Sequence, residues 1–478
     1  IPLNRLGLGV ANPAAIPYVL GDPYREQTLE QIAAGVNLST TPFATWAGDV
    51  SIAVGAEYRE EKINGFVPDE FQPVPIRDAN GNVTGASNRW SVGNYLASVG
   101  RYDVKEAYLE TVVPLGLGLE FNGAVRATDY STAGYVTTWK AGATWQPIDD
   151  IRFRVTRSRD IRAPNLNDLF QAGSANSDSV GNPGFVNGES PPFVPAGQPP
   201  QAGYSYSGFA TGNPNLEAEK ADQWNVGVVL SPTFLPGFNL SLDYFDITIE
   251  DAISTLGSNN ILNACYGLAG YQEDTAVCSL INRAPGGQLW TNNGWIVNTT
   301  QNIGGISTSG VDVVANYNMN LDDFGLTGMG GLSFNFTGTW LESLETDVGI
   351  GGATYDCVGF YENSCGFGSP EWRHRFTTSW ATPWDVNLLL TWRYHGEVEH
   401  FGLADTSTRL DRYFDAYNWF DIGATWQVVD NTRVRVGINN VFDKDPPLSY
   451  SGNGNGNTYP GVYDSMGRYI FFGITSDF

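Results

Sequence analysis

The feature that most limits this chain is strict alternation of apolar and polar residues in segments of about ten, close to the length of a membrane-crossing strand. In LEFNGAVRAT, Leu119, Phe121, Gly123, Val125 and Ala127 form one face and Glu120, Asn122, Arg126 and Thr128 the other. VNLLLTWRYH sets Leu388, Leu390, Trp392 and Tyr394 against Asn387, Thr391, Arg393 and His395. TRVRVGIN opposes Val434, Val436 and Ile438 to Arg433, Arg435 and Asn439, and TWKAGATW opposes Trp139, Ala141, Ala143 and Trp145 to Lys140 and Thr144. Successive side chains of a strand point to opposite sides, so period two with one apolar face predicts half-buried strands.

A soluble sandwich alternates too, and other signs choose the environment. Aromatics bracket the apolar faces, as at Trp139 and Trp145 or Trp392 and Tyr394, in the way rings form girdles at the headgroup level of membrane barrels. QPIDD (146–150), PWD (383–385) and DN (430–431) read as tight turns. The stretches around 61–99, 159–219, 251–302 and 346–371 are long and rich in Gly, Asn, Ser and Pro. Irregular loops of that length are uncommon in compact soluble domains. Short turns at one end and long loops at the other are the asymmetry of outer-membrane barrels. No stretch offers about 18 consecutive apolar residues, so a transmembrane helix is excluded and strands must do the crossing. Hydrocarbon leaves backbone groups no water to bond, so the strands must close without a free edge. The fold class is therefore all-β, a transmembrane antiparallel β-barrel. A net charge of -25 argues against a nucleic-acid partner.

The last stretch, GRYIFFGITSDF, fits this picture. Ile470, Phe472, Ile474 and Phe478 share one face, with Thr475 and Asp477 on the other, as for a strand ending at the periplasmic rim. It looks like the terminal signal read by the outer-membrane assembly machinery, with Gly473 and Phe478 in place and Ser476 where an apolar residue is usual. Cys265 with Cys278 and Cys357 with Cys365 form two close pairs without zinc-knuckle spacing. Two short-loop disulfides in an oxidising compartment are expected, buried free thiols being the alternative.

Five stretches resemble the C-terminal barrel of TonB-dependent outer-membrane receptors. They are YDVKEAYLETVVPL (102–115), SRDIRAPNLNDLF (158–170), GNPNLEAEKADQWNVGV (212–228), INNVFDKDPP (438–447) and YDSMGRYIFFGITSDF (463–478). The resemblance implies energised import of a scarce nutrient (siderophore, oligosaccharide, peptide or similar) through a barrel of roughly 22 strands filled by an N-terminal plug. It implies TonB as a partner through that plug, and a place in the outer membrane of a Gram-negative cell among lipid and lipopolysaccharide. No cofactor and no metal are expected.

IRFRVTRSRDIRAPN packs Arg152, Arg154, Arg157, Arg159 and Arg162 into an acidic protein. Arg152 and Arg154 oppose Ile151, Phe153 and Val155, and a lipid-facing Arg costs about 2–4 kcal/mol at midplane, so both should enter the lumen. With Arg126, Lys140, Arg393, Arg433 and Arg435 they form a set expected to face the lumen or plug. Such charges either grip the plug and guide an anionic substrate, or pair with acids of neighbouring strands. Arg157 and Arg159 are placed at the outer rim, near lipid phosphates. Tyr204, Tyr206, Phe209, Trp290, Trp295, Tyr355, Phe360 and Tyr361 fall in long outer loops, where aromatics either hold a ligand or pack loops together. HGEVEH offers His395, Glu397, Glu399 and His400, but alternation sends His400 to the other face, so a solvated rim is expected rather than a metal site. DANGN (78–82) reads as a hairpin tip. No Ser/His/Asp or Cys/His set and no phosphate-cradling loop stands out, so no enzyme is expected.

Counting back from Phe478 places about fifteen strands. They begin at 28–40, 47–60, 101–114, 118–130, 134–145, 150–159, 221–231 and 238–250, and continue with 305–320, 329–343, 373–382, 386–398, 416–428, 431–442 and 466–478. A barrel of roughly 22 strands would then lack about seven. Residues 1–478 are expected to be the C-terminal part of the barrel, a mature product or fragment, with plug and first strands on a separate or omitted N-terminal piece. The alternatives are a passive porin-like channel and a soluble all-β binding protein such as a lectin.

Overall fold

The computed structural model describes residues 20–77, 83–87, 90, 94–181, 203–267, 272–282, 295–352, 354–362, 365–403, 407–450 and 456–477. Fifteen strands pair in chain order into one antiparallel wall. They are β1 Glu26–Thr45, β2 Gly48–Phe66, β3 Val99–Gly116, β4 Leu119–Tyr130 and β5 Gly134–Ile148. Next come β6 Ile151–Arg162, β7 Glu219–Leu230, β8 Phe238–Glu250, β9 Gly305–Asn320 and β10 Gly331–Asp347. The last five are β11 Trp372–Ala381, β12 Val386–His395, β13 Tyr417–Val429, β14 Thr432–Asn439 and β15 Tyr469–Ser476. A two-residue strand, Tyr355–Asp356, adds to the outer end of β10. These are the fifteen expected strands, one for one, with ends moved by a few residues. β12 stops at His395 rather than 398 because Val398–His400 leaves the wall to pair with Phe360–Tyr361 and Tyr413–Phe414 in a small loop sheet.

Register carries each face across the wall. Leu388 lies opposite Ala424, Ala424 opposite Val436 and Val436 opposite Phe472, while Leu390, Ile422, Ile438 and Ile470 form the next row. Leu390, Val436, Ile470 and Phe472 are 46%, 44%, 64% and 67% exposed, so this apolar face is offered outward rather than to a core. Rings gather on the same side near the outer end, where Phe336 stacks on Trp372 and Trp392 on Phe420. Their indole N–H groups are satisfied locally: Trp372 donates to His374 Nδ1 at 2.8 Å and Trp392 to Asn418 Oδ1 at 2.8 Å. A ring that is apolar in body and polar at one edge suits the membrane interface. The opposite face runs Arg154, Gly227, Asp243, Asp312, Thr339, Arg373, His395, each opposite the next on adjoining strands. That is the lumen side.

The two ends of the wall differ. Residues 46–47, 117–118, 149–150 and 430–431 make tight turns at the periplasmic end. Leu117 and Gly118 both have positive φ, 54° and 74°, as hairpin turns matched to strand twist require. A Cβ on Gly118 would also meet the Gln146 carbonyl oxygen at 2.0 Å, so only glycine fits there. At the other end the connections span 67–98, 163–218, 251–304, 348–371, 396–416 and 440–468, and only β4 and β5 are joined briefly, through 131–133. β1 and β2, with 20 and 19 residues, are about twice as long as a bilayer needs and extend beyond it.

The buried apolar residues lie in the outer loops more than in the wall. Leu256, Ile261, Leu262, Ala264, Val277 and Ile296 form one cluster around the helix α2 (Ser258–Tyr266). The Cys265–Cys278 disulfide joins that helix to the following segment, and a second disulfide joins Cys357 to Cys365. Tyr102, Val104, Leu169 and Leu216 form another cluster under the short helix α1 (Leu166–Phe170). Asn165 caps α1, its Oδ1 accepting from Asn167 N and Asp168 N at 2.8 and 2.9 Å, while Asp168 accepts from Asn165 N. The NLND sequence makes this reciprocal box.

The facing can be tested by one charge on each side of the wall. Val436→Arg should lower stability by about 2–4 kcal/mol and Asn335→Arg, on the lumen side, by far less. Urea unfolding of the heat-modifiable band on a gel measures both, and equal losses would contradict the facing.

Candidate functional site

The lumen side carries its cations in two tiers. The lower tier lies near the periplasmic turns: Arg152 and Arg154 follow the turn at 149–150, and Arg433 and Arg435 the turn at 430–431. Arg154 donates to Asp243 Oδ1 at 2.7 Å across the space left by Gly227, where a Cβ would collide with Asp243. Arg152 donates to Gln146 Oε1 at 2.9 Å, and Arg435 lies over the Phe471 ring at 5.4 Å. Arg433 donates to Gln427 at 3.4 Å. Higher up, Arg126 forms an ion pair with Glu106 and Lys140 faces the same lumen side opposite Ser158. Arg126, Arg154 and Arg393 therefore hold acids, while Lys140, Arg152, Arg433 and Arg435 have no carboxylate partner among the described residues.

The upper tier is built by β11 to β13. Arg373 and Arg375 share the lumen face of β11, and Arg375 lies directly opposite Arg393 of β12. Like charges placed opposite on a sheet destabilise it. Arg393 is offset by two carboxylates: Nε donates to Asp421 Oδ2 at 2.8 Å, and Nη2 donates to Asp464 Oδ2 at 2.6 Å. Its guanidinium also lies over the Trp419 ring at 5.2 Å. Arg373 and Arg375 have no carboxylate partner among the described residues. With Arg393, His395, Trp419 and Val462 they line a recess of about 440 Å³, within the usual range of small-molecule sites. Arg373 and Arg375 were missed in reading the sequence, although WRHRFTTSW alternates as plainly as the strands that were used.

One outer loop borders this recess, through Val462. Tyr361, Val398, Phe414, Trp419, Tyr459 and Tyr463 form one buried cluster. Tyr361 is 0% exposed, stacks on Phe414 at 4.3 Å and donates its hydroxyl to the Asp411 carbonyl. It holds loops together and offers no surface to a ligand. Tyr355 and Phe360 both pack on Phe401, at 5.2 and 5.6 Å between ring centres. Tyr204, Tyr206 and Phe209 lie in a strand, Gly203–Ala210, whose Phe209 pairs in parallel with Val297 of the Trp295–Val297 strand. Trp290, residues 78–82 and Phe478 lie outside the described residues, whereas Gly473 sits in β15 opposite Arg435. His395 ends β12 on the lumen side, and His400 is buried in the loop sheet with Nδ1 2.9 Å from the Phe401 carbonyl. Arg157 and Arg159 lie on the outward face near the outer end of β6, where both approach Asp222, at 3.5 and 2.6 Å.

A clasp ties two of the loops. Arg409 donates to both oxygens of Asp411, and Asp411 Oδ2 accepts from the Tyr450 backbone N–H at 2.8 Å. The Arg409 guanidinium holds the Asp411 carboxyl down at about 2.

The family model described as TonB dependent receptor-like, beta-barrel matches residues 8–441. The chain belongs to this family. Its members are barrels of the Gram-negative outer membrane, and that is where this wall resides. The ferric enterobactin receptor of Pseudomonas aeruginosa, solved as a mutant, matches with a TM-score of 0.59 at 16% identity, over 95% of this chain and 54% of that one. A siderophore receptor of Acinetobacter baumannii matches with 0.60 at 14% identity, over 96% and 56%. The ferric-catecholate import receptor of E. coli matches with 0.52 at 13%, over 95% and 55%. At these identities the likeness concerns the fold. The chain spans about half the length of the solved structures it matches.

The clasp carries a pH prediction. The folded value of Asp411 is depressed, so its contribution is complete above the ordinary carboxylate value of 3.8 and is lost as pH falls through about 2. Hydrogen exchange of 409–414, corrected for its intrinsic pH dependence, should stay flat from pH 7 to 4 and rise only below. Asp411→Asn should raise it already at pH 7.

Proposed function

We propose that this wall belongs to a receptor that imports an anionic nutrient chelate of the siderophore type across the outer membrane, driven through TonB. The observation that carries the proposal is the pair of arginines in the upper recess that no carboxylate holds, Asp312 of the same lining accepting from Thr339 and the other two acids sitting on Arg393. Arg373 and Arg375 stand beside Arg393 on the lumen face, and no carboxylate among the described residues meets the first two. Planar guanidinium groups suit multidentate oxygen anions. The similar solved structures are described as receptors for ferric enterobactin, for siderophores and for ferric catecholates, which agrees with this chemistry. The arrangement suits binding and release of such an anion.

The lower tier, with Arg152, Arg433 and Arg435 meeting no carboxylate among the described residues, supports contact with a plug inside the barrel. β1 pairs only with β2, and β15 only with β14, among the described residues. Such edges are not tolerated in lipid. About seven further strands and a plug, carried by a segment outside this chain, would close the barrel. Intact mass and N-terminal sequencing of the receptor purified from outer membranes test this: residues 1–478 alone as a closed barrel would overturn it.

For the ligand, binding of ferric enterobactin to the complete receptor should weaken on the order of ten-fold in each of Arg373→Gln and Arg375→Gln, since a charge-assisted contact is worth about 1.5–3 kcal/mol. Added salt should weaken it further. A growth panel of iron and carbon sources with a knockout strain identifies the nutrient class. Unchanged affinity in both variants together with a carbon-source phenotype would overturn the anionic-chelate reading.

A further inference from the structure

The upper recess has an internal occupant. Asp464 does not belong to the wall. It projects from the outer segment 456–468 and grips Arg393 through two contacts, Nη1 to Oδ1 at 3.1 Å and Nη2 to Oδ2 at 2.6 Å. This fork-on-carboxylate geometry is what an anionic ligand would itself present to an arginine. Val462, two residues earlier, lines the recess, so the segment borders the site as well as reaching its central arginine. Between them Tyr463 is 1% exposed, wedged against Tyr417, Trp419 and His395.

The seating of this segment is incomplete. The Tyr463 hydroxyl and Thr458 Oγ1 are buried and have no hydrogen-bond partner among the described residues. A buried orphaned hydroxyl opposes folding. Two of them in one short segment weaken a closed position that is held by ring packing, by the Asp464 carboxylate, by the Tyr459 hydroxyl on Glu362 and, at its end, by Arg468 on Val441 and Asp443. Arg373 and Arg375 meanwhile remain available to an incoming anion beside the latched Arg393.

We propose that residues 456–468 are a lid latched by Asp464 on Arg393, and that a polyanionic ligand opens it by taking Asp464's place on that guanidinium. The proposal rests on the reading of the recess as an anion site. It makes Asp464 a specificity-determining residue, since a neutral or singly charged solute cannot compete for all three arginines at once. The carboxylate is thus a built-in competitor that sets the threshold of charge a ligand must carry.

The test uses the complete receptor in detergent, with pyrophosphate as the probe. Hydrogen exchange reads the lid at 456–468, and calorimetry reads binding. In the wild type, saturating pyrophosphate should raise lid exchange several-fold while the β11–β13 ladders stay protected. Asp464→Asn should show the raised exchange without ligand and bind pyrophosphate on the order of ten-fold more tightly. Tyr463→Phe, which removes one orphaned hydroxyl, should instead slow lid exchange. Pyrophosphate that binds the wild type and leaves lid exchange unchanged would overturn the latch while the anion site stands. Failure of Asp464→Asn, with its arginines freed, to bind any pyrophosphate would overturn both.

Discussion

Everything in this wall depends on the demand that a backbone in hydrocarbon bond only to itself. A strand can meet that demand only through neighbours on both sides, so fifteen strands pair in sequence order without a crossover. Once ladders are fixed, so is the direction of every side chain, because the strand period is two. The apolar row from Leu388 to Phe472 and the polar row from Arg154 to His395 are two consequences of one register. Hydrophobic burial, the usual organiser of a domain, is moved to the loops that stand outside the bilayer. The clusters around Ile261 and Tyr361 are the nearest equivalents of a conventional core.

This division explains what was legible in the sequence. Strand existence was legible because alternation is local: Val434, Val436 and Ile438 against Arg433 and Arg435 need no tertiary knowledge. The cysteine pairs were legible because their partners lie 13 and 8 residues apart. Strand ends were not, since β12 yields at His395 to a loop sheet assembled from three distant segments. Tyr361 drew attention as a loop aromatic, but no local pattern tells a ring that holds a ligand from one that Phe414 and Tyr459 enclose. Arg373 and Arg375 could have been found from WRHRFTTSW. Asp464 could not, because its partner Arg393 lies in a strand 71 residues earlier and the loop that carries Asp464 follows no period.

The charge pattern divides labour along the lumen. Near the periplasmic turns, arginines bond to glutamine or to strand carboxylates, as Arg154 does with Asp243. Near the outer rim, three arginines crowd one recess with two carboxylates on the central one. In a chain of net charge -25, Arg373 and Arg375 stand out there as cations without a carboxylate partner among the described residues. It is local chemistry, and the loop packing above it decides when the chemistry is accessible. The disulfide between Cys357 and Cys365 brackets Tyr361, so one end of the loop packing is covalently fixed while the Asp464 end is held by ring packing and charge.

The two-residue period of the register has a consequence for how such a chain can change. Adding one residue within a wall strand inverts every side chain beyond it, sending arginines to lipid and leucines to water. The insertions a wall tolerates come in pairs or are absorbed at a bulge, as at Ser309 and Gly310. The outer connections obey no such parity; they range from residues 131–133 to residues 163–218 within this one molecule. Length in this protein is therefore quantised in the membrane and free above it. Lineages can rewrite the loops residue by residue, while the wall can drift in composition and hardly at all in count.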